Sequence, residues 1–253
     1  MVKIGIIGGS GLDNAPILSE SVEIKCDTPF GSPSSKLVAG KIAGVDVIIL
    51  SRHGEKHQLN PTQVNYRANI SALKDQAATH IIATTACGSL REEIGRGDFV
   101  ILDQFIDFTK HRKISFHDSF DNGPVHMPMA EPFDPSLRKI LCEKSKELGY
   151  NTHKKGTVIT IEGPRFSTIA ESNMFRIWGA DVINMSVATE AILANEAEIP
   201  YSVIAMSTDY DCWKEDEDPV SWDEIVEVFT QNADNVINLL KNVIPEIAAL
   251  AEK

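Results

Sequence analysis

Two aspartates, Asp209 and Asp211, are the residues of this chain best suited by position to acid–base chemistry. They follow an apolar segment, residues 200–206, whose composition predicts a strand buried on both faces. Two carboxyl groups so close together repel each other, which raises the proton affinity of the pair and favours proton donation by one member. The same spacing is also typical of an Asx turn, or of two solvated acids before the acidic run KEDED.

Three other segments place hydroxyl groups and hydrogen-bond donors at predicted strand ends. The residues are Ser10 in GGSG, Arg52, His53 and His57 in SRHGEKH, and Thr85, Ala86 and Gly88 in TTACG. Each segment alone has an ordinary explanation: a steric turn, a solvated arginine with two surface histidines, or a structural turn. Together they predict one shared anion site, because a planar guanidinium and closely approaching backbone amides are suited to bind phosphate.

An α/β framework must position these segments, and the hydrophobic pattern predicts one. Short β-branched runs predict six strands, at residues 3–7, 45–50, 80–85, 99–102, 157–161 and 200–206. Helical patterns fall between several of them, and no linker divides the chain, so residues 1–253 are predicted to form a single three-layer α/β domain. Its central mixed, largely parallel β-sheet is flanked by helices, and in such sheets ligands bind at the strand ends.

Capping residues predict the bounds of two helices. Asp134 has the position of an N-cap, and Gly149 has that of a C-terminal stop. Ser221 and Glu224 have the spacing of a capping box. The long helix that follows them is predicted to end at Pro245, because proline cannot donate the next intrahelical hydrogen bond.

Composition and charge argue against several classes of protein. The formal net charge is −12, so we do not expect a nucleic-acid or anionic-membrane binder, which needs clustered Lys and Arg. A small anionic ligand, needing only a few local donors, is compatible with this charge. No apolar segment is long enough to span a bilayer, and MVKIGIIGGSGL lacks the features of a secretory signal. The four cysteines are widely separated and include no CxxC pair, so we expect reduced thiols, a cytoplasmic protein and no metal site.

Eight segments of the chain carry a resemblance to a known family. They are IGIIGGSGL, SRHGEKH, NPTQVNYRANI, TTACGSLREEIGRGD, HMPMAEPF, TIEGPRFSTIAE, WGADVINMS and STDYDCW. Through these segments, in uninterrupted order from about Lys3 to the final helix, the chain closely resembles the 5'-methylthioadenosine phosphorylases of the purine nucleoside phosphorylase family. The resemblance implies phosphorolysis of S-methyl-5'-thioadenosine to adenine and 5-methylthioribose 1-phosphate, in purine and methionine salvage. Inorganic phosphate would be the co-substrate, with no metal and no organic cofactor.

The resemblance also implies a role for each matching residue. Phosphate would be bound by Ser10, Arg52, His53, Thr85, Ala86 and Ser186. The nucleoside would be contacted by His57, His126, Phe166, Ser167, Met185, Asp209 and Asp211. Purine N7 becomes strongly basic as phosphate attacks the anomeric carbon, so Asp209 would donate a proton there while Asp211 accepts a hydrogen bond from the 6-amino group. Because similar proteins present the residue at His126 to a neighbouring subunit's 5' pocket, a homotrimer or a dimer of trimers is implied.

The chain departs from the family pattern at a few positions. Ser10 and Ser186 stand where many relatives have Thr, and Trp222 replaces a small aliphatic residue near the expected 5' pocket. Two alternative functions stay open at this point. One is a phosphorylase for 6-oxopurine nucleosides or methylthioinosine, against which the acid pair argues because an oxo group calls for a hydrogen-bond donor. The other is a non-catalytic protein that binds nucleoside or phosphate.

Overall fold

Strands and helices alternate along the described part of this computed structural model, which comprises residues 2–8, 17–121, 123–217 and 221–251. The strands are β1 Lys3–Gly8, β2 Ser19–Ile24, β3 Leu37–Ile42, β4 Val45–Ser51, β5 His80–Ser89, β6 Phe99–Ile101, β7 Gln104–Phe108, β8 Thr152–His153, β9 Thr157–Ile161, β10 Val182–Asn184 and β11 Tyr201–Asp209. The helices are α1 Tyr66–Asp75, α2 Pro135–Glu147, α3 Ile169–Ile177, α4 Val187–Glu196 and α5 Trp222–Ala251. All six predicted strands are present, but β5 and β11 continue beyond their predicted ends.

The strands form one mixed sheet that branches at β5. The main path has the order β2-β3-β4-β1-β5-β10-β9-β7, and a second arm runs from β5 through β11 and β6 to β8. Of the ten pairings among the described strands, six are parallel and four antiparallel. The predicted mixed, largely parallel sheet is therefore confirmed, with β5 as the strand that both arms share.

The strand β5 exchanges partners along one of its sides. β1 pairs with it only as far as Ala83, and β10 pairs with it from Gly88 onward. Between these points that side of β5 has no strand partner in the part of the chain that the structure describes, while β11 pairs along the other side. The predicted strand end at Thr85 is wrong, because pairing with β11 extends β5 through Ala86 and Gly88 to Ser89. An unpaired strand edge nevertheless presents backbone groups that can bind a ligand.

Helices cover both faces of the sheet, which confirms the predicted three layers. α1 and α4 contribute to one apolar core, and α2 and α5 contribute to another on the opposite face. The strand β1 divides between the two, since Ile7 packs in the first core and Ile4 and Ile6 pack in the second. The strand ends that bear the candidate site therefore rest on a frame that is buried on both sides.

The helix α2 has the predicted bounds. The Asp134 carboxylate accepts a hydrogen bond from the Leu137 amide (2.9 Å), as an N-cap does. Gly149 follows the helix with a φ of +76°, a left-handed conformation that glycine adopts without a steric cost. Local sequence signals were sufficient here because both ends of α2 are set by single residues.

The long helix α5 begins as predicted but does not end as predicted. The Ser221 hydroxyl accepts a hydrogen bond from the Glu224 amide (3.3 Å). The helix then continues through Pro245 as far as residue 251, although a proline removes one intrahelical hydrogen bond. Ile244 and Ile247, on either side of Pro245, are fully buried in the second core, and this burial outweighs the lost bond. No described helix is both long and apolar enough to cross a membrane.

Candidate active site

A cavity of about 560 Å³ lies where β5 changes partners. Eleven of the thirteen predicted site residues line it: Arg52, His53, His57, Thr85, Ala86, Phe166, Ser167, Met185, Ser186, Asp209 and Asp211. Ser10 lies outside the described residues. His126 is elsewhere on the surface, exposed and edge-on to Phe120, with 5.5 Å between the ring centroids. The structure thus brings together residues that are far apart in the sequence, with the exception of His126.

The carboxyl pair forms one wall of the cavity. Asp209 is only 5% exposed, and its two oxygens accept hydrogen bonds from the Thr208 hydroxyl (2.7 Å) and the Asp211 amide (2.9 Å). The second bond is that of an Asx turn, so the structural alternative for this pair is present together with its place in the cavity. Asp211 has a φ of +50°, a conformation that Asp and Asn tolerate better than most residues.

Both acids hold their protons more tightly than an exposed aspartate does. Burial raises the pKa of Asp209. Burial also raises the pKa of Asp211, to about 6, and the negative charge of Asp209 adds to this effect. Loss of hydration, more than the expected repulsion between the acids, is therefore the largest cause of both shifts. One oxygen of Asp211, Oδ2, makes no hydrogen bond of normal geometry to any residue in the described ranges, while the neighbouring Ser172 and Ser167 hydroxyls act to lower the pKa.

The position of Asp209 depends on a glycine in the neighbouring strand. The pairing of β11 with β5 shifts register between Ser207 and Asp209, which places Asp209 opposite Gly88. A Cβ atom at Gly88 would lie 2.9 Å from Asp209 Oδ2 and 3.0 Å from Ile183. The sequence suggested Gly88 as a source of close backbone amides, whereas in the structure its missing side chain makes room for the buried carboxylate.

A second wall, at the unpaired side of β5, is rich in hydroxyl groups. The Thr85 hydroxyl donates to the Ala86 carbonyl (2.9 Å) and accepts from the side-chain amide of Asn184 (3.4 Å). Asn184 is in turn fixed by the Thr160 hydroxyl (2.9 Å). Ser186 occupies the N-cap position of α4, where the helix dipole favours an anion. Asn184 was missed from the sequence because nothing in its surroundings distinguishes it from other strand-end amides.

Arg52 is buried rather than solvated, because it is paired with a glutamate that the sequence analysis missed. Its Nε and Nη2 donate to the two carboxylate oxygens of Glu190 (2.5 and 3.0 Å), and its Nη1 donates to the Thr84 carbonyl (3.0 Å). Glu190 also accepts from the Tyr201 hydroxyl (2.8 Å). Arginine has five N–H bonds, and the described residues accept from three of them, so the other two can donate to a ligand. An acid inside the apolar helical run VATEAILA was the available signal for this buried pair.

A stack of rings closes another side of the cavity. His53 and His57 lie with ring centroids 4.5 Å apart, and Trp222 lies 5.1 Å from His57. His53 Nδ1 is 2.9 Å from the Leu59 carbonyl, which is consistent with a proton on that nitrogen. Burial, together with the charge of Arg52, lowers the pKa of His53 to about 4. His53 is therefore neutral near pH 7, and with its proton on Nδ1 its Nε2 can only accept a hydrogen bond, for example from a P–OH group.

The remaining wall is built from the segment after β9 and the end of β10. Gly163 has a φ of +66°, and a Cβ atom there would lie 2.5 Å from the Met185 sulfur. Met185, Phe166 and Ser167 face the cavity from this side. Phe166 lines the cavity and is 38% exposed, so its aromatic ring can contact a ligand there. This wall offers apolar contact, whereas the carboxyl pair and the unpaired side of β5 offer polar groups.

Comparison with known sequences connects this cavity with a class of enzymes. The family model of the phosphorylase superfamily matches residues 3–245. An S-methyl-5'-thioadenosine phosphorylase from Xenopus tropicalis is 56% identical over 253 residues, covering 98% of this chain and 90% of the relative. A protein of the same name from Danio rerio is 52% identical over 252 residues, again covering 98% and 90%.

Comparison with solved structures gives the same association. A methylthioadenosine phosphorylase from Schistosoma mansoni in complex with adenine has a TM-score of 0.94 at 41% identity, covering 98% of this chain and 93% of that one. A mutant adenosine/methylthioadenosine phosphorylase from the same organism, in complex with methylthioadenosine, has a TM-score of 0.93 at 40% identity, covering 98% and 92%. The fold described above is therefore one that holds purine ligands in these relatives.

Proposed function

Since this chain belongs to the phosphorylase superfamily, we propose that it catalyses the phosphorolysis of S-methyl-5'-thioadenosine to adenine and 5-methylthioribose 1-phosphate. One observation carries the proposal: a single cavity joins a buried carboxyl pair to an open strand edge with hydroxyl and guanidinium donors. The curated relatives bear the name of this activity. The reaction would serve purine and methionine salvage.

The phosphate would bind at the open side of β5. We assign its contacts to Ser10, Arg52, His53, Thr85, Ala86 and Ser186. One phosphate oxygen attacks the anomeric carbon as the bond from that carbon to the purine breaks, and the electron pair of the broken bond goes to the base. The negative charge of the phosphate stabilises the oxocarbenium-like ribose, so the scheme needs neither a metal nor an organic cofactor.

The purine would bind at the carboxyl pair. We assign Asp209 as the proton donor to N7, because burial raises its pKa and two hydrogen bonds fix its orientation. The Asp211 carboxylate would accept a hydrogen bond from the 6-amino group, which favours adenine over a 6-oxopurine. The other nucleoside contacts we assign are His57, Phe166, Ser167 and Met185.

We further assign a 5'-pocket contact to His126 of a neighbouring copy, and hence a homotrimer or a dimer of trimers. In support, the segment around His126 exposes several large apolar side chains to solvent: Ile114, Phe120, Val125 and Met127. Sedimentation of the active protein would test this assignment, which an active monomer would contradict.

All four cysteines are free, as expected of a protein that works in the cytoplasm.

The proposed reaction is tested by measuring adenine release from methylthioadenosine, with adenosine and inosine for comparison. We expect release to require inorganic phosphate and to persist with a metal chelator. Asp209→Asn should lower turnover about a hundred- to ten-thousandfold, the usual range for a general acid. Asp98→Asn is the control, since Asp98 is also buried (7% exposed) but lies outside the cavity. Phosphate-independent release, or full turnover by Asp209→Asn, would contradict the mechanism.

A further inference from the structure

Beside the cavity, a buried arginine binds two of the segments that form the cavity wall. Arg112, in the chain that follows β7, does not line the cavity, and its side chain is only 1% exposed. We infer that Arg112 is a positioning residue for the nucleoside. Through Glu162 and Tyr66 it fixes residues 163–167, here called the purine wall, relative to Pro61 and Met185, here called the ribose wall. The inference rests on the proposed function, because it assigns those walls to the nucleoside and the open side of β5 to phosphate.

The guanidinium of Arg112 makes its bonds to both segments at once. Its Nε donates to the Glu162 carboxylate (2.9 Å) and its Nη2 to the Glu162 carbonyl (2.6 Å). Its Nη1 donates to the Tyr66 hydroxyl (2.6 Å), and its charge lies 5.1 Å from the centre of the Tyr66 ring. A flexible ammonium could not satisfy these three directions, whereas a planar fork of donors does.

Tyr66 links Arg112 to the ribose wall. Its hydroxyl donates to the Pro61 carbonyl (3.0 Å), and the Met185 carbonyl lies beside it at 3.5 Å. Pro61 and Met185 both line the cavity. The Tyr66 ring is buried, with 3% of the residue exposed, so its hydroxyl is held in place by packing as well as by Arg112.

Glu162 links Arg112 to the purine wall. Its carboxylate accepts from the Thr62 hydroxyl (2.6 Å) and from the amides of Lys110 (2.6 Å) and His111 (3.1 Å). Burial alone would raise the pKa of Glu162, but these bonds and that of Arg112 outweigh it and hold the pKa at about 2. Glu162 is therefore ionised throughout the neutral range, and it directly precedes the segment 163–167, from which Phe166 and Ser167 enter the cavity.

The two walls touch where the bonds of Arg112 converge. A Cβ atom at Gly163 would lie 2.5 Å from the Met185 sulfur and 3.3 Å from Pro61, so these three residues are in close contact. A small displacement of Glu162 or Tyr66 therefore moves the surface on which ribose and purine would rest. Arg112 makes no bond to Arg52 or to the Thr85 region, whose contacts run through Glu190 and Asn184 instead.

Because Arg112 is bonded to the nucleoside walls and not to the phosphate site, changes at Arg112 or Tyr66 should alter the dissociation constant of methylthioadenosine more than that of phosphate. Tyr66→Phe keeps the buried ring and removes the hydroxyl, and Arg112→Lys keeps the charge and removes the fork. Each variant should weaken methylthioadenosine binding about three- to tenfold, as expected when one or two buried hydrogen bonds are lost. Phosphate affinity should change less than about twofold. Both dissociation constants are measured by calorimetry on the intact protein, together with the KM for each substrate and the midpoint of urea unfolding.

Two matched variants control for a general loss of stability. Tyr150→Phe removes a hydroxyl that binds Asn238 on the opposite face of the sheet (2.8 Å). Arg138→Lys removes a guanidinium that binds the Leu102 carbonyl (2.8 Å). Neither residue lines the cavity, so both variants should bind methylthioadenosine as the wild type does, even where the unfolding midpoint falls.

The outcomes separate the positioning role from the proposed function. Weaker nucleoside binding with unchanged phosphate binding in Tyr66→Phe and Arg112→Lys supports the role of Arg112. Unchanged nucleoside binding, or an equal loss for both ligands, overturns it. A wild type that binds methylthioadenosine but releases no adenine would refute the proposed reaction alone, because the binding constants are obtained without turnover.

Discussion

The ion pair between Arg52 and Glu190 makes a quantitative prediction about stability. Both side chains are almost completely buried, at 2% and 1% exposure, and the pair is joined by two hydrogen bonds. Glu190→Gln keeps the shape of the side chain but leaves the charge of Arg52 without a counter-charge. The perturbation is thus confined to the electrostatics of two almost completely buried side chains.

Removing one partner of a buried pair typically costs about 3–5 kcal/mol, because the remaining charge is neither paired nor hydrated. This is a large share of the 5–15 kcal/mol, roughly, that stabilises an ordinary domain. Tyr201→Phe removes only the hydroxyl that donates to Glu190 (2.8 Å), and should cost about 1–3 kcal/mol, the usual range for a hydrogen bond to a charged group. Glu143→Gln, in an exposed pair with Lys139 at 4.0 Å, should cost much less than either.

Urea unfolding at pH 7 measures all three changes on one scale. We expect the order Glu190→Gln, Tyr201→Phe, Glu143→Gln, from the largest loss to the smallest. The double variant Arg52→Met with Glu190→Leu should be more stable than Glu190→Gln, since an apolar pair leaves no unpaired charge. If Glu190→Gln costs no more than Glu143→Gln, the buried pair is not the source of stability that its geometry indicates.

Two further predictions concern the carboxyl wall. Burial and the charge of Asp209 raise the pKa of Asp211 to about 6, above the value of about 3.9 in an unfolded chain. The native state therefore holds a proton that the unfolded state releases. As the pH rises from 4 to above 6, the wild type should lose up to about 3 kcal/mol of stability relative to Asp211→Asn. Urea midpoints of both proteins at pH 4.5 and pH 8 measure this change, and a stability difference independent of pH would contradict it. The second prediction is that Gly88→Ala lowers turnover far more than Gly95→Ala does. A Cβ atom at Gly88 would lie 2.9 Å from Asp209 Oδ2, whereas the nearest atom to a Cβ at Gly95 would be 3.6 Å away. Equal activity of the two variants would show that Asp209 can move without consequence.

Features set by local chemistry were predictable from the sequence, and those set by distant pairing were not. The apolar runs located six strands, and the N-cap at Asp134 and the glycine at 149 located α2. The extension of β5 beyond Thr85 through ACGS was not predictable, because these small residues give no strand signal until β11 is known to pair with them. Likewise, Pro245 gives a local stop signal that the burial of Ile244 and Ile247 overrides.

The candidate site shows the same division. Side-chain chemistry at predicted strand ends indicated seven of the eleven predicted residues that line the cavity, and the resemblance to a family added Phe166, Ser167, Met185 and Ser186. The partners that support these residues were missed. Asn184 and Arg112 are ordinary residue types in unremarkable segments, and their importance appears only when the residues they bind are close in space. Glu190 is conspicuous as an acid in an apolar run, but its partner Arg52 is 138 positions away in the sequence. A single sequence indicates which residues have suitable chemistry, but the groups that orient them depend on the packing of separate segments.

The exchange of partners along β5 has a consequence for how such a protein can change over time. The wall assigned to the attacking group lies at the open side of β5, while the wall assigned to the departing base is carried by β11 and the segment after β9. Because these walls are formed by different segments of the chain, mutations that alter which base departs need not disturb the group that attacks. Directed evolution toward new leaving groups would accordingly randomise residues 166–167 and 209–213 and hold residues 84–87 constant.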